Sequence, residues 1–226
     1  MAHENLVESP MNQPITKHKP PRRSASRKAL EQKIIAAAEI VFAEQGFNGA
    51  SLEAIAEKAS LSKQNMLYYF PSKDSLYHHV LKNILDLWIE KMALIEQAGD
   101  TPASMLENYI RGKLEISRVH PYGSKVFANE VISGASHLQV YLEENLLPQF
   151  TADIELVRSW ITQGIMDPID PGHLFFTIWA STQTYADFSA QVSLALGKSE
   201  LEEEDFRRAG DFLTHVLLKG LGLKNI

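Results

Sequence analysis

Lys63, Gln64 and Asn65 stand side by side at the start of the segment SKQNMLYYFPSK. Their chemistry matches the edges of nucleobases. A primary amide such as Gln64 or Asn65 forms a two-bond pair with adenine, and the Lys63 ammonium reaches guanine O6 and N7 or a phosphate. Ser51 and Ser62 each precede a short apolar run, as helix N-caps do, and free amides at a helix start bind phosphate. Tyr68, Tyr69 and Lys73 follow, offering hydroxyls and an ammonium to a sugar-phosphate backbone. A polar triplet can equally be a solvated helix start, so the elements around it have to decide.

Those elements are short and sharply bounded. Ser51 opens a helix over Leu52–Lys58 with Glu53 in its first turn, where the helix dipole favours a carboxylate. The turn Ala59-Ser60-Leu61 follows, and Ser62 caps a second helix. Pro71 disfavours helix at Phe70, so that helix ends by Tyr68 or Tyr69. Ahead of both, Leu30, Ile34, Ala37, Ala38, Val41 and Phe42 recur at spacings of three and four from Lys28 until Gly46 closes the run. Two short helices joined by a tight turn under a longer one describe a helix-turn-helix. In that geometry Lys63, Gln64 and Asn65 occupy the first turn of the helix that enters the major groove, with Leu67 and Phe70 anchoring it.

Beyond Ser72 a long amphipathic helix runs through Leu76, Val80, Ile84, Leu87 and Trp88 to about Glu96. The pattern predicts further helices near 101–119, 122–134, 137–166, 171–196 and 204–222, with Pro148 kinking or splitting the third. No stretch alternates as a strand does, so the expected fold is all-α. The expected division is a flexible basic arm at 1–25, a helix-turn-helix domain at 26–72 and a helical domain at 73–226. The acidic run Glu200 to Asp205 reads as a loop and helix start.

With 45% hydrophobic and 22% charged residues the chain has the composition of an ordinary globular protein. Its net charge of −6 is uneven. Residues 1–30 hold Lys17, Lys19, Arg22, Arg23, Arg27 and Lys28 against Glu4 and Glu8, a local +4 that leaves −10 for the remainder. A basic end on an acidic body fits a polyanionic partner, although charged tails are also simply solvated. There are no cysteines, no long apolar run and no leader pattern, so a cytoplasmic protein is expected. Gly-rich phosphate loops, HExxH pairs and a defensible Ser-His-Asp order are missing, so neither a catalytic site nor a cofactor is expected. Adjacent His78 and His79 cannot share one helix face, which argues against a metal site.

The segment DPIDPGHLFFTIWASTQTYADF suggests a ligand chamber. Trp179 and Gln183 are four apart and share a helix face. An indole for stacking and an amide with donor and acceptor suit a small planar ring of alternating N–H and C=O groups, such as uracil or thymine. Trp88 and Glu130 are further candidate walls. Trp179 beside Phe175 and Phe176 also reads as core, and Glu130 as a half-buried partner of Lys125 or an arginine. The apolar faces carrying Phe175, Phe176, Ile178, Phe212, Leu213, Val216, Leu217 and Leu221 read equally as a four-helix interface between subunits or as intramolecular core.

The stretch IIAAAEIVFAEQGFNGASLEAIAEKASLSKQNMLYYFPSKDSLY resembles the DNA-binding domain of the TetR family of bacterial repressors. Phe42, Gly46-Phe47, Ser51-Leu52, Ile55-Ala56, Ala59, Tyr69-Phe70 and Ser72-Lys73 carry the likeness. Leu52 departs from the family's frequent Thr, and Ser60 from its usual Gly. The resemblance implies a homodimer on a pseudo-palindromic double-stranded operator, with a C-terminal domain that pairs the subunits and encloses a ligand. The segments YYFPSKDSLYHHVLKNILDLW and YIRGKLEISRVHPYGSKVFANEVISGA, with residues 167–188, further resemble the TetR-family regulators of pyrimidine utilisation. That likeness implies release from the operator by uracil or thymine. A lipophilic drug or acyl thioester is the rival effector within the family, against which polar Gln183 and Glu130 argue. An enzyme and a ligand-independent DNA binder are the rivals outside it.

Overall fold

The computed structural model describes residues 22–97 and 101–223. Most of the basic arm therefore lies outside the described residues. The ordered elements are α1 (Arg22–Gly49), α2 (Leu52–Lys58), α3 (Lys63–Tyr69), α4 (Lys73–Gln97), α5 (Pro102–Val119), α6 (Pro121–Ile132), α7 (Gln139–Tyr141), a π turn (Leu142–Leu146), α8 (Leu147–Thr162), α9 (Pro171–Asp187), α10 (Ser189–Ala195) and α11 (Glu203–Gly220). Among the described residues there is no strand, and the fold is all-α.

Local chemistry explains the boundaries. Ser51 Oγ accepts the Ala54 amide at 3.1 Å and Ser62 Oγ the Asn65 amide at 3.2 Å, capping α2 and α3. Thr101 and Asp170 cap α5 and α9 in the same way, each with proline at the first helical position, where its missing N–H has no helical partner to lose. The carboxylates of Glu202 and Asp205 form a capping box at the start of α11. Gly46 breaks α1 with φ 68 and ψ 173, so the terminal turn sets off in a new direction.

The turn between α2 and α3 is a Schellman motif. The Ser60 amide bonds the Glu57 carbonyl at 2.9 Å and the Leu61 amide the Ala56 carbonyl at 2.8 Å. Closing it puts Ser60 at φ 54, a left-handed conformation that costs a side-chain-bearing residue energy.

Two boundaries differ from the sequence reading, and one break falls where Pro148 led it to be expected. Helix α1 begins at Arg22 rather than Lys28, so the last residues assigned to the arm are helical. The helix expected over 137–166, with Pro148 kinking or splitting it, is interrupted near that proline by the π turn, where the Leu147 amide bonds the Leu142 carbonyl. That widened turn makes room for the proline ring, which an unbroken α-helix lacks. The helix expected over 171–196 divides at Phe188, whose φ of −111 and ψ of 29 leave the helical region. No proline or glycine marks that break.

Two apolar cores hold the molecule. One lies under the helix-turn-helix and gathers Ile34, Phe42, Ile55, Met66 and Phe70 with Leu76, Tyr77, Val80, Ile84 and Trp88 of α4 and Val126 of α6. The other gathers Met92 of α4 with Tyr109, Ile110 and Leu114 of α5, Trp160 of α8, Phe175 and Ile178 of α9 and Leu218 of α11. Helix α3 is held chiefly by Met66, which is fully buried, and by Phe70; Leu67 is only half-buried. Helix α4 contributes to both cores. Among the described residues no helix is long and apolar enough to cross a membrane.

Candidate functional site

Helix α3 presents its first turn outward. Lys63, Gln64 and Asn65 are exposed, and among the described residues nothing bonds the two side-chain amides. Lys63 is not free, because its ammonium pairs with Glu53 on α2. Tyr68 is 71% exposed and packs edge-on to Tyr69 with ring centroids 5.2 Å apart. The Arg27 guanidinium lies 5.8 Å from both rings, adding a cation from α1 to the tyrosine end of α3. The Ser51 and Ser62 oxygens are occupied as caps, which leaves each hydroxyl its own O–H to donate.

Lys73, expected as a backbone grip, has partners within the chain. Its ammonium donates to the carbonyls of Phe47 at 2.8 Å and Ala50 at 3.1 Å, and lies 4.5 Å from the Phe47 ring centroid. Two of its three donors thus close the end of α1 onto the start of α4.

The C-terminal half contains a cavity of about 860 Å³ walled by α1, α4, α5, α6, α9 and the π turn. Trp88, Trp179 and Gln183, three of the four residues expected from the sequence, line it. Trp179 donates its indole N–H to the Tyr109 hydroxyl at 2.6 Å, which fixes its ring, and among the described residues no group bonds the Gln183 amide. Among the described residues the buried Trp88 indole N–H has no hydrogen-bond partner, although the ring packs edge-on to Phe127 at 4.3 Å. Ala43 of α1 also reaches the wall, so the cavity touches the same helix that supports the helix-turn-helix.

Glu130 is the correction. It is absent from the cavity wall, and its carboxylate accepts the Tyr77 hydroxyl at 3.1 Å and the His137 amide at 2.7 Å. In place of Lys125 or an arginine, the carboxylate has these two donors and the His137 imidazole, whose Nδ1 lies 3.2 Å from both carboxylate oxygens. They satisfy a carboxylate that is only 4% exposed. Burial and the Glu130 charge both push the Tyr77 hydroxyl well above the ordinary tyrosine range. Rings of Phe42, Phe47 and His137 surround Tyr77 at centroid distances of 4.9, 4.7 and 5.2 Å. The cluster joins α1, α4 and the end of α6.

The sequence reading missed two charged residues in the cavity, Lys113 and Asp187. Lys113 on α5 is 3% exposed, with its Nζ 4.3 Å from the Trp88 ring centroid. Burial pulls its ammonium down to about 7, against the weaker opposing pull of Asp187. Asp187 ends α9, where the helix dipole also disfavours a carboxylate. Burial raises its carboxyl above the ordinary range, and Ser124 donates to it at 2.5 Å. A signal did exist in the sequence, because Lys113 follows Tyr109 by four and Leu106 by seven on the apolar face of α5.

A helix-turn-helix with an exposed polar first turn, joined through one long helix to a cavity-bearing helical half, defines a DNA-binding transcriptional regulator of TetR type. Residues 34–80 match the family model for bacterial regulatory proteins of the tetR family, and residues 81–224 match that for the YcdC-like protein, C-terminal region. The chain belongs to the TetR family. It is 39% identical over 200 residues to the HTH-type transcriptional regulator RutR of Escherichia coli strain K12, covering 88% of this chain and 94% of that protein. Among solved structures it is similar to the ketosteroid transcriptional regulator KstR2 of Mycobacterium tuberculosis, with a TM-score of 0.69 and 17% identity over 86% of this chain and 95% of that one. A TetR-like transcriptional regulator from Rhodococcus sp. RHA1 gives a TM-score of 0.64 and 25% identity, covering 91% of this chain and all of that one. These two share the fold.

Proposed function

We propose that the chain is a cytoplasmic, homodimeric repressor of pyrimidine utilisation, released from its operator by uracil or thymine. The cavity carries this reading: two indoles, an unbonded amide and three charged side chains, Lys113, Lys125 and Asp187, surround a space whose wall includes α1 and α4. The resemblance to the TetR-family regulators of pyrimidine utilisation supports the choice of ligand.

In this reading residues 26–72 bind DNA and residues 73–226 bind the ligand and the second subunit, with residues 1–25 as a basic arm. Gln64 and Asn65 read base edges, while Lys63 exchanges Glu53 for guanine or phosphate. Ser51, Ser62, Tyr68 and Tyr69 hold the sugar-phosphate backbone, and Lys73 adds its remaining donor. A base stacked on Trp88 or Trp179 and bonded by Gln183 binds one arrangement of α4 better than the other. That difference in affinity is what shifts the equilibrium away from DNA.

A footprint on operator DNA selected by the full-length protein, repeated with uracil and with thymine, tests the proposal. Release by either base is expected. A footprint that neither base alters would overturn the pyrimidine reading.

A second reading keeps the mechanism and changes the ligand. The cavity is large for one pyrimidine, and Leu85, Phe127, Val131, Leu142 and Leu146 make much of its wall apolar. A lipophilic effector would fit those walls. A thermal-shift screen of bases, nucleosides and lipophilic drugs separates the two, because a ligand that binds only the native state raises its melting temperature.

A further inference from the structure

We infer that Lys113 and Asp187 together read the effector, and that they select a small neutral ring carrying a C=O acceptor beside an N–H donor. This deepens the cavity reading above and rests on it.

The two residues occupy the wall of one cavity without satisfying each other. Among the described residues no carboxylate lies within ion-pair distance of the Lys113 ammonium, which stands over the face of Trp88. Asp187 receives one hydrogen bond, from Ser124, which is itself fully buried. Burial disfavours the charged form of both groups. A pair that served only to hold α5 against α9 would close into contact, because a buried ammonium left without an acceptor is costly.

The vacant valences define what completes them. Lys113 supplies donors, and Asp187 supplies an acceptor beside the two-way amide of Gln183. A ring with adjacent C=O and N–H groups offers a carbonyl to the ammonium and an N–H to the carboxylate in one plane. A cyclic imide or ureide has that edge. An anionic effector would meet the Asp187 carboxylate and a cationic one would meet Lys113 and Lys125, so the paired charges favour a neutral molecule. A hydrocarbon chain would leave all of these groups unbonded.

Calorimetry on the full chain tests the assignment with uracil, with 1,3-dimethyluracil, which keeps the carbonyls and loses both N–H groups, and with the variants Lys113→Met and Asp187→Asn. Expected are uracil binding to the wild type and affinity at least about ten-fold weaker for the dimethyl compound and for each variant, as befits loss of a charge-assisted bond. Melting temperature and operator binding establish that the variants fold. Folded variants that bind uracil as tightly as the wild type would overturn the pair while leaving the pyrimidine reading intact. Should a variant not fold, equal wild-type affinity for uracil and its dimethyl form overturns the pair by itself. If uracil does not bind the wild type, the pyrimidine reading falls. Hydantoin and succinimide then decide the pair, which fails if neither binds.

Discussion

Glu130 accepts the hydroxyl of Tyr77 at 3.1 Å, tying α6 to α4 at a point 53 residues apart in sequence. The His137 amide, 2.7 Å from the same carboxylate, brings the loop after α6 into the contact. Truncating Glu130→Ala leaves two buried donors without an acceptor and is expected to cost about 3 kcal/mol, whereas Tyr77→Phe costs about 1 kcal/mol. Urea unfolding of both variants and of the double variant measures this. The double variant should lose less than the two single losses combined, because both remove the same bond.

On α3 the amides and the lysine should separate by salt dependence. Asn65→Ala or Gln64→Ala is expected to cost about 1–3 kcal/mol on the operator and to relax preference at one base pair. Lys63→Ala should weaken binding across sequences and reduce the salt slope by about one ion. Anisotropy titrations over a salt series distinguish these outcomes.

The buried lysine gives stability a definite pH dependence. Above about 7 the folded chain lacks a proton on Lys113 that the unfolded chain keeps up to the ordinary lysine value. Stability from this group therefore rises with pH through that window, and the cost of burying it is complete below about 7. Asp187, whose carboxyl is raised, acts with the opposite sign on the acid side, so its share falls as pH climbs through its folded range. Lys125 is the other charged residue on this wall. Lys113→Met should flatten the alkaline slope and stabilise the ligand-free protein near neutrality, with an upper bound of about 4 kcal/mol. Denaturation curves at about pH 6 and about pH 9 read both effects.

Ser60 sits at φ 54 in the turn of the helix-turn-helix. Ser60→Gly removes a left-handed strain of about 1–2 kcal/mol and adds unfolded-chain entropy, for a net gain of about 0.5 kcal/mol. A rise in melting temperature with unchanged operator affinity is the expected result.

Phe176, Phe212 and Val216 remain 49%, 63% and 47% exposed, while Phe175, Ile178 and Leu221 are buried within the chain. The apolar faces of α9 and α11 thus divide between core and surface. If the exposed part pairs subunits, Phe212→Asp should weaken the dimer by about 100-fold and reduce operator binding with it. Sedimentation at several concentrations, alongside anisotropy, measures both.

Local signals in the sequence predict local structure well. Ser51, Ser62 and Pro71 act on the next few residues, so the helix-turn-helix and its exposed first turn are legible from spacing alone. Side-chain direction over distance is harder. Glu130 interrupts an apolar run that also holds wall residues of the cavity, and its partners Tyr77 and His137 come from two other elements. Lys113 shares the helical register of Leu106 and Tyr109 on α5, but that spacing does not say which other elements close over it. The division at Phe188 has no local marker.

The presence of α4 in both cores has a consequence for modularity. A fragment ending at Ser72 would lose Leu76, Tyr77, Val80 and Leu81 from its own core, and a C-terminal fragment starting there would expose them. Neither half can be lifted onto a foreign partner without rebuilding that shared helix. Swaps of DNA specificity between relatives should therefore succeed when only α2 and α3 are exchanged, and fail when the seam is cut at the start of α4.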